Sequence, residues 1–213
     1  MTLFINWSVD AQLIEGWRTP NLYGLLFVSG IVMGYFVIRK MFKAEQVSDK
    51  ILDSLVTYMV LATIIGARLG HVFFYGPYWD GIVNGKFERG YFSHPGDIIK
   101  VWEGGLASHG AAIAILIALF VFSKKVSKMS YIWILDRIAA PIAIAGTFIR
   151  LGNLVNHEMV GYETNVPLAF KFQYYFNEAT GFYDPTPRHP AQLYEAICYF
   201  ISFWLLLYLY WKL

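Results

Sequence analysis

Stretches without Asp, Glu, Lys or Arg alternate with short basic segments along this chain. Residues 19–38 form an unbroken run of twenty such positions, which at 1.5 Å per residue covers about 30 Å, the thickness of a bilayer's hydrocarbon core. A second apolar segment, 51–75, is interrupted by Asp53, Arg68 and His71. The third, 104–123, again lacks all four charged residue types, and the fourth, 132–152, carries Asp136 and Arg137 near one end and Arg150 at the other. The fifth, 192–211, gives way to Lys212 at its exit. The pattern predicts an all-α fold, a polytopic transmembrane helix bundle of five spans forming a single integral-membrane domain over residues 1–213.

Two connections are short and basic. Arg39, Lys40, Lys43 and Lys50 flank the first, and Lys124, Lys125 and Lys128 sit in the second. The positive-inside rule makes both cytoplasmic, so the predicted orientation is N-out and C-in. The long connections, 77–103 and 154–190, then lie outside. Their GPYW, SHPGD and DPTPRHP stretches read as ordered periplasmic or re-entrant segments.

Composition agrees with a lipid environment: 57% of residues are apolar and 15% charged, where a soluble domain carries about a quarter charged. Mean hydropathy is +0.45. Seventeen basic against fifteen acidic residues leave a net charge of +2, too small and dispersed for a nucleic-acid partner. The single cysteine, Cys198, excludes an intrachain disulfide and a multi-cysteine metal site, and no metal or cofactor is expected. Asp10 and Glu15 interrupt the first twenty residues, so no removable signal peptide is expected.

In an N-out chain, spans one, three and five start on the side where spans two and four end. The unusual polar residues sit at those ends: Tyr23, then Arg68 with His71, then His109, then Arg150 with Asn153, then Arg188, His189, Gln192 and Glu195. Charged groups at a bilayer rim normally face a partner, a cavity or lipid head groups. Taken singly, several have plainer explanations. Arg150 alone reads equally as an arginine snorkelling to lipid phosphates, His109 as a hydrogen-bonded core histidine, Arg68 as a helix-end anchor and Tyr23 as an interface anchor. Context favours a site. Asn153 and Asn156 lie about one helical turn apart, so both amides reach one side as a phosphate-binding wall, and Glu158 is placed to orient the arginine or a substrate hydroxyl. Small residues around His109 (Gly104, Gly105, Gly110, Ala111, Ala112) leave room for a ligand or a close helix. Glu103 and Glu195 are candidate partners for arginines across helices. His94 and His157 read as solvent-facing, and Cys198 as inert packing. A channel or transporter would carry its polar groups near the midplane or on both sides of it.

The motifs LYG (Leu22 to Gly24), GARLGHVFFY (Gly66 to Tyr75), WEGGLASHG (Trp102 to Gly110), RLGNLVNHEMVG (Arg150 to Gly161) and RHPAQLYE (Arg188 to Glu195) occur in an order that resembles the prolipoprotein diacylglyceryl transferase family. The resemblance implies a multi-pass enzyme of the bacterial inner membrane, its active site toward the outer leaflet. Such an enzyme moves the diacylglyceryl group of phosphatidylglycerol onto the lipobox cysteine thiol of a preprolipoprotein. It implies phosphatidylglycerol, the lipobox segment and the lipid bilayer as partners. It also implies His109, Arg150 and Tyr23 as catalytic residues. Arg150, Asn153, Asn156, Glu158, Gly161, Arg68, Gln192 and Glu195 would bind substrate. Members of the family usually continue with two more spans, one bearing a second functional arginine. The chain is therefore expected to be a C-terminally truncated seven-span protein that inserts but transfers little lipid by itself.

Overall fold

The computed structural model describes residues 3–14, 20–83, 86–101, 105–177 and 179–212. Thr19, the expected start of the first span, lies outside the described residues, as do Trp102, Glu103 and Gly104 of the third motif. Five helices dominate: α1 (Leu22–Ala44), α2 (Asp49–Phe74), α3 (Ser108–Phe122), α4 (Tyr131–Val155) and α5 (Ala191–Lys212). With the π-turn Ser123–Ser127 that prolongs α3, all five are long and apolar enough to cross a membrane.

The chain divides into two compact units, Phe42–Asp136 and the residues on either side of it. In the first, α2 meets α3 through small residues. A Cβ on Gly66 would fall 2.3 Å from the Ala114 Cβ, and one on Gly110 would fall 2.5 Å from the Gly70 Cα. Such a small-xxx-small stripe lets two backbones approach where lipid supplies no hydrophobic drive. The close-helix alternative therefore accounts for Gly110. The connection from α2 to α3 carries an antiparallel hairpin, β2 (Gly81–Val83) with β3 (Lys86–Glu88), and a 3-10 turn at Pro95–Ile99.

In the other unit, Gly30 and Gly34 of α1 bring it against Ala145, Phe148 and Pro141 of α4. Ala140, Ala143 and Ile144 of α4 bury themselves with Phe203 of α5. Short strands stand outside the helices: β1 (Ile5–Trp7) pairs in parallel with β4 (Phe170–Phe172), and β5 (Phe176–Asn177) pairs with β6 (Phe182–Tyr183). The expected five long apolar helices are present, but the fold is mostly helical rather than all-α, because these short strands pair outside the helices. At two or three residues each, they are too short to leave a period-2 signature. Leu154, Phe170 and Phe172 form a small core with Ile5 and Trp7, and the Trp7 indole N–H donates to the Leu154 carbonyl at 2.9 Å.

Candidate active site

The end of α4 and the start of α5 hold a connected polar web. Arg150, on the last turns of α4, directs Nε to Glu195 Oε2 at 2.7 Å, and its Nη1 donates to Asn153 Oδ1 at 3.3 Å. Asn153, buried, donates its own Nδ2 to Glu158 Oε1 at 2.7 Å, and Asn156 Nδ2 reaches the same oxygen at 3.5 Å. The i, i+3 spacing that suggested a shared face for the two asparagines thus converges on one carboxylate oxygen. Among the described residues Nη2 of Arg150 takes no partner. The pair is partly open, with side chains 27% (Arg150) and 45% (Glu195) exposed.

Tyr23 packs on Gly152, where a Cβ would stand 2.8 Å from the tyrosine ring. A side chain at position 152 would push the ring off the web. Gln192, fully buried, donates Nε2 to the Glu158 carbonyl, while its Oε1 has no partner among the described residues. Gly161 donates its N–H to the His189 carbonyl at 2.9 Å, and a Cβ there would lie 2.7 Å from that oxygen. Only glycine allows this approach, which joins the segment after α4 to the start of α5. A cavity of about 420 Å³ opens beside the web, lined by Asn156, His157, Glu158, Tyr174 and Phe176 among others.

Outside the helices Arg188 anchors the same unit. Its Nη2 contacts Glu163 at 2.8 Å and Asp184 at 2.9 Å, and its guanidinium stacks on Tyr175 at 4.9 Å. Hydrogen bonds from the Thr186 hydroxyl, the Thr186 N–H and then Arg188 hold the Asp184 carboxyl well below the usual carboxylate range. Tyr23, Arg150, Asn153, Asn156, Glu158, Gly161, Gln192 and Glu195 therefore belong to one unit.

Arg68 and His109 belong to the other. Arg68, 5% exposed, donates Nε to the Ile98 carbonyl at 2.8 Å, Nη1 to Gly105 at 3.1 Å and Nη2 to Asp97 at 2.5 Å. Tyr91 covers its face at 5.1 Å. Gly105 is left-handed (φ 69°), and a Cβ there would meet Arg68 Nη1 at 2.7 Å. The Ala107 N–H donates to the Ala67 carbonyl at 2.9 Å, and α3 begins one residue later. His109 follows in the first turn, exposed, with the rings of Phe74 and Tyr75 at 5.2 and 5.4 Å.

One reading from sequence is overturned. His157 is 3% exposed rather than solvent-facing, because a left-handed turn folds its ring beneath β4. Sequence reasoning also missed Trp7. Its partner is 147 residues away, and no local pattern announces such a bond.

A family model described as prolipoprotein diacylglyceryl transferase matches residues 14–213. The chain is 42% identical to a phosphatidylglycerol–prolipoprotein diacylglyceryl transferase of Porphyromonas gingivalis, covering 100% of this chain and 73% of the relative. It is 39% identical to one of Tolumonas auensis, over 96% of this chain and 72% of the relative. It is 40% identical to one of Chloroherpeton thalassium, over 98% and 71%.

Proposed function

Because the chain belongs to the prolipoprotein diacylglyceryl transferase family, and so transfers a diacylglyceryl group from phosphatidylglycerol to prolipoprotein, the first step of lipoprotein maturation, we propose that Arg150 holds the lipid phosphate during transfer. The observation that carries this reading is the arginine's tethering. Glu195 and Asn153 engage Nε and Nη1 and orient the guanidinium, while Nη2 stays available. An exposed carboxylate partner is worth only about 0–1 kcal/mol, so an arriving phosphate can displace it. The planar fork then offers the phosphate a bidentate, charge-assisted contact.

In the reaction the sulfur of the lipobox cysteine attacks the glycerol carbon, an S–C bond forms, and the C–O bond to phosphate breaks. Glycerol phosphate leaves with the electron pair, and the thiol proton passes to a base. Arg150, with Asn153 as a neutral donor, stabilises charge on the departing phosphate. Glu158 fixes Asn153 and Asn156, Gln192 holds the Glu158 backbone, and Gly161 lets the α5 segment close on it. Tyr23 walls the web. His109 supplies the imidazole nitrogen that takes the thiol proton. The substrate contact expected of Arg68 gives way to a positioning role, in which it fixes Gly105 and so the start of α3 beneath His109.

The basic connections put the C-terminal end of α1 and the start of α2 on the cytoplasmic side of the bacterial inner membrane, with the active site toward the outer leaflet. An impermeant thiol reagent that labels a cysteine at position 125 in intact cells overturns this orientation.

The reading is tested with labelled phosphatidylglycerol and a lipobox peptide. Arg150→Lys keeps the charge but loses the fork, and transfer should fall about 10²- to 10³-fold with insertion unchanged. Near-parental transfer by that variant makes Arg150 an interfacial anchor only.

A further inference from the structure

Glu158 stands on a turn that L-residues adopt reluctantly. The residues on either side of it, His157 and Met159, both have left-handed backbones, at φ 55° and 56°. Such conformations are uncommon for residues other than glycine and persist where the surroundings over-determine them. Met159 is exposed and offers little to hold the turn. His157 is the opposite: buried, with both ring nitrogens engaged.

Nδ1 lies 3.3 Å from the Tyr174 backbone nitrogen, whose N–H can only donate. Nδ1 is therefore the unprotonated nitrogen, and the proton sits on Nε2, which donates to the Val9 carbonyl at 2.9 Å. The ring is a neutral imidazole with no bonding capacity left. Phe172 and Tyr174 meet it edge-on at 5.8 and 5.1 Å. Its two backbone anchors come from the segment after β1 and from the turn after β4. The ring thus ties the turn to that strand pair.

The rest of the turn is main chain. Asn156, His157 and Glu158 return their N–H groups to Gly152, Leu154 and Asn153 of α4. These bonds set the start of the turn, and Gln192 holds its carbonyl side. We propose that His157 is a positioning residue for lipid transfer: its doubly bonded imidazole fixes the left-handed turn that aims the Glu158 carboxylate at Asn153 and, through Asn153, orients Arg150. The inference rests on the proposed role of the Arg150 web and adds to it the residue that aims the web.

The alternative is that position 157 needs only a residue tolerant of positive φ. Glycine separates the two, because it adopts the backbone freely but carries no ring. The experiment measures kcat/KM for transfer in full-length protein for H157G, E158Q and the double variant. The expected result is a loss of about ten- to a hundredfold for H157G, with little further loss when it is added to E158Q. H157G within twofold of the parent overturns the proposal. Equal fold losses in both backgrounds also overturn it, because they show a general structural effect that does not pass through Glu158. An unimpaired E158Q removes the proposed role of Glu158 itself. An impaired E158Q with a normal H157G removes only the role of His157. If H157G does not insert as a folded protein, H157N, which tolerates the left-handed backbone and keeps a polar side chain, carries the same cycle. If E158Q turns over too slowly to measure, phosphatidylglycerol affinity serves as the readout.

Discussion

Two arginines near the ends of apolar helices are held in opposite ways. Arg68 is buried, and its Nε, Nη1 and Nη2 each donate to a main-chain carbonyl, with an aromatic ring over its face. Arg150 is a quarter exposed and is held by a carboxylate and an amide, both on side chains that can rotate. Carbonyls of a folded loop cannot step aside for a ligand without the loop moving, whereas a half-exposed glutamate can. Arginine at a membrane rim is therefore ambiguous until its acceptors are known. Backbone acceptors mark a strut, and exchangeable side-chain acceptors mark a binding group.

The largest effect expected from breaking this contrast lies at the residue the strut supports. His109→Gln should lower transfer by about 10²- to 10⁴-fold without altering insertion, since the amide keeps a hydrogen bond but cannot take a proton. A variant within a few fold of the parent assigns His109 to positioning. Arg68→Ala should act first on stability. It removes the Arg68 donor from the Ile98 and Gly105 carbonyls and leaves the Asp97 carbonyl with the Lys100 N–H alone at 3.3 Å, and a buried group left unsatisfied costs about 1–3 kcal/mol. Its melting temperature should fall, while the specific activity of the surviving folded fraction falls less than that of Arg150→Lys.

Gly105→Ala and Gly161→Ala sharpen the contrast at backbone level. The first must strain a left-handed residue and clash with Arg68. The second must open the Gly161–His189 joint, since its Cβ would fall 2.7 Å from the His189 carbonyl. Each should cost about 1–3 kcal/mol, read by thermal unfolding. The second should also raise the KM for phosphatidylglycerol, and the first should not. The smallest effect belongs to Glu195→Gln. The pair is open to solvent, so the phosphatidylglycerol KM should change by no more than about fivefold. A larger rise would make Glu195 part of the binding site in its own right.

The helices were legible because each apolar run is long enough to dominate any window, and the web was half legible because its residues recur at helical spacing. Glu195, at the entry to the fifth apolar run, was a candidate partner for an arginine across helices, and Arg150 is what it meets. Arg68 was not legible. Its acceptors are main-chain carbonyls of residues 97, 98 and 105, and no side-chain pattern reports where a carbonyl points. The β1–β4 pairing joins segments about 165 residues apart, and His157 is buried by that same pairing, so its fate depended on a contact the sequence does not display. Small residues around His109 left two options open. Part of that stripe serves close packing of α2 on α3, where Gly66 and Gly110 leave no space for a Cβ.

The central claim is that Arg150 holds lipid phosphate while Arg68 holds protein backbone. The direct measurement is phosphatidylglycerol affinity, titrated into protein held in phosphatidylcholine nanodiscs, for the parent, Arg150→Lys and Arg68→Lys. The account predicts a Kd at least about tenfold higher for Arg150→Lys, equivalent to about 1.4 kcal/mol, with thermal stability unchanged. For Arg68→Lys it predicts a parental Kd and a lowered melting temperature. Equal affinity for the parent and Arg150→Lys would contradict it, as would weakened binding by an Arg68→Lys protein that is as stable as the parent.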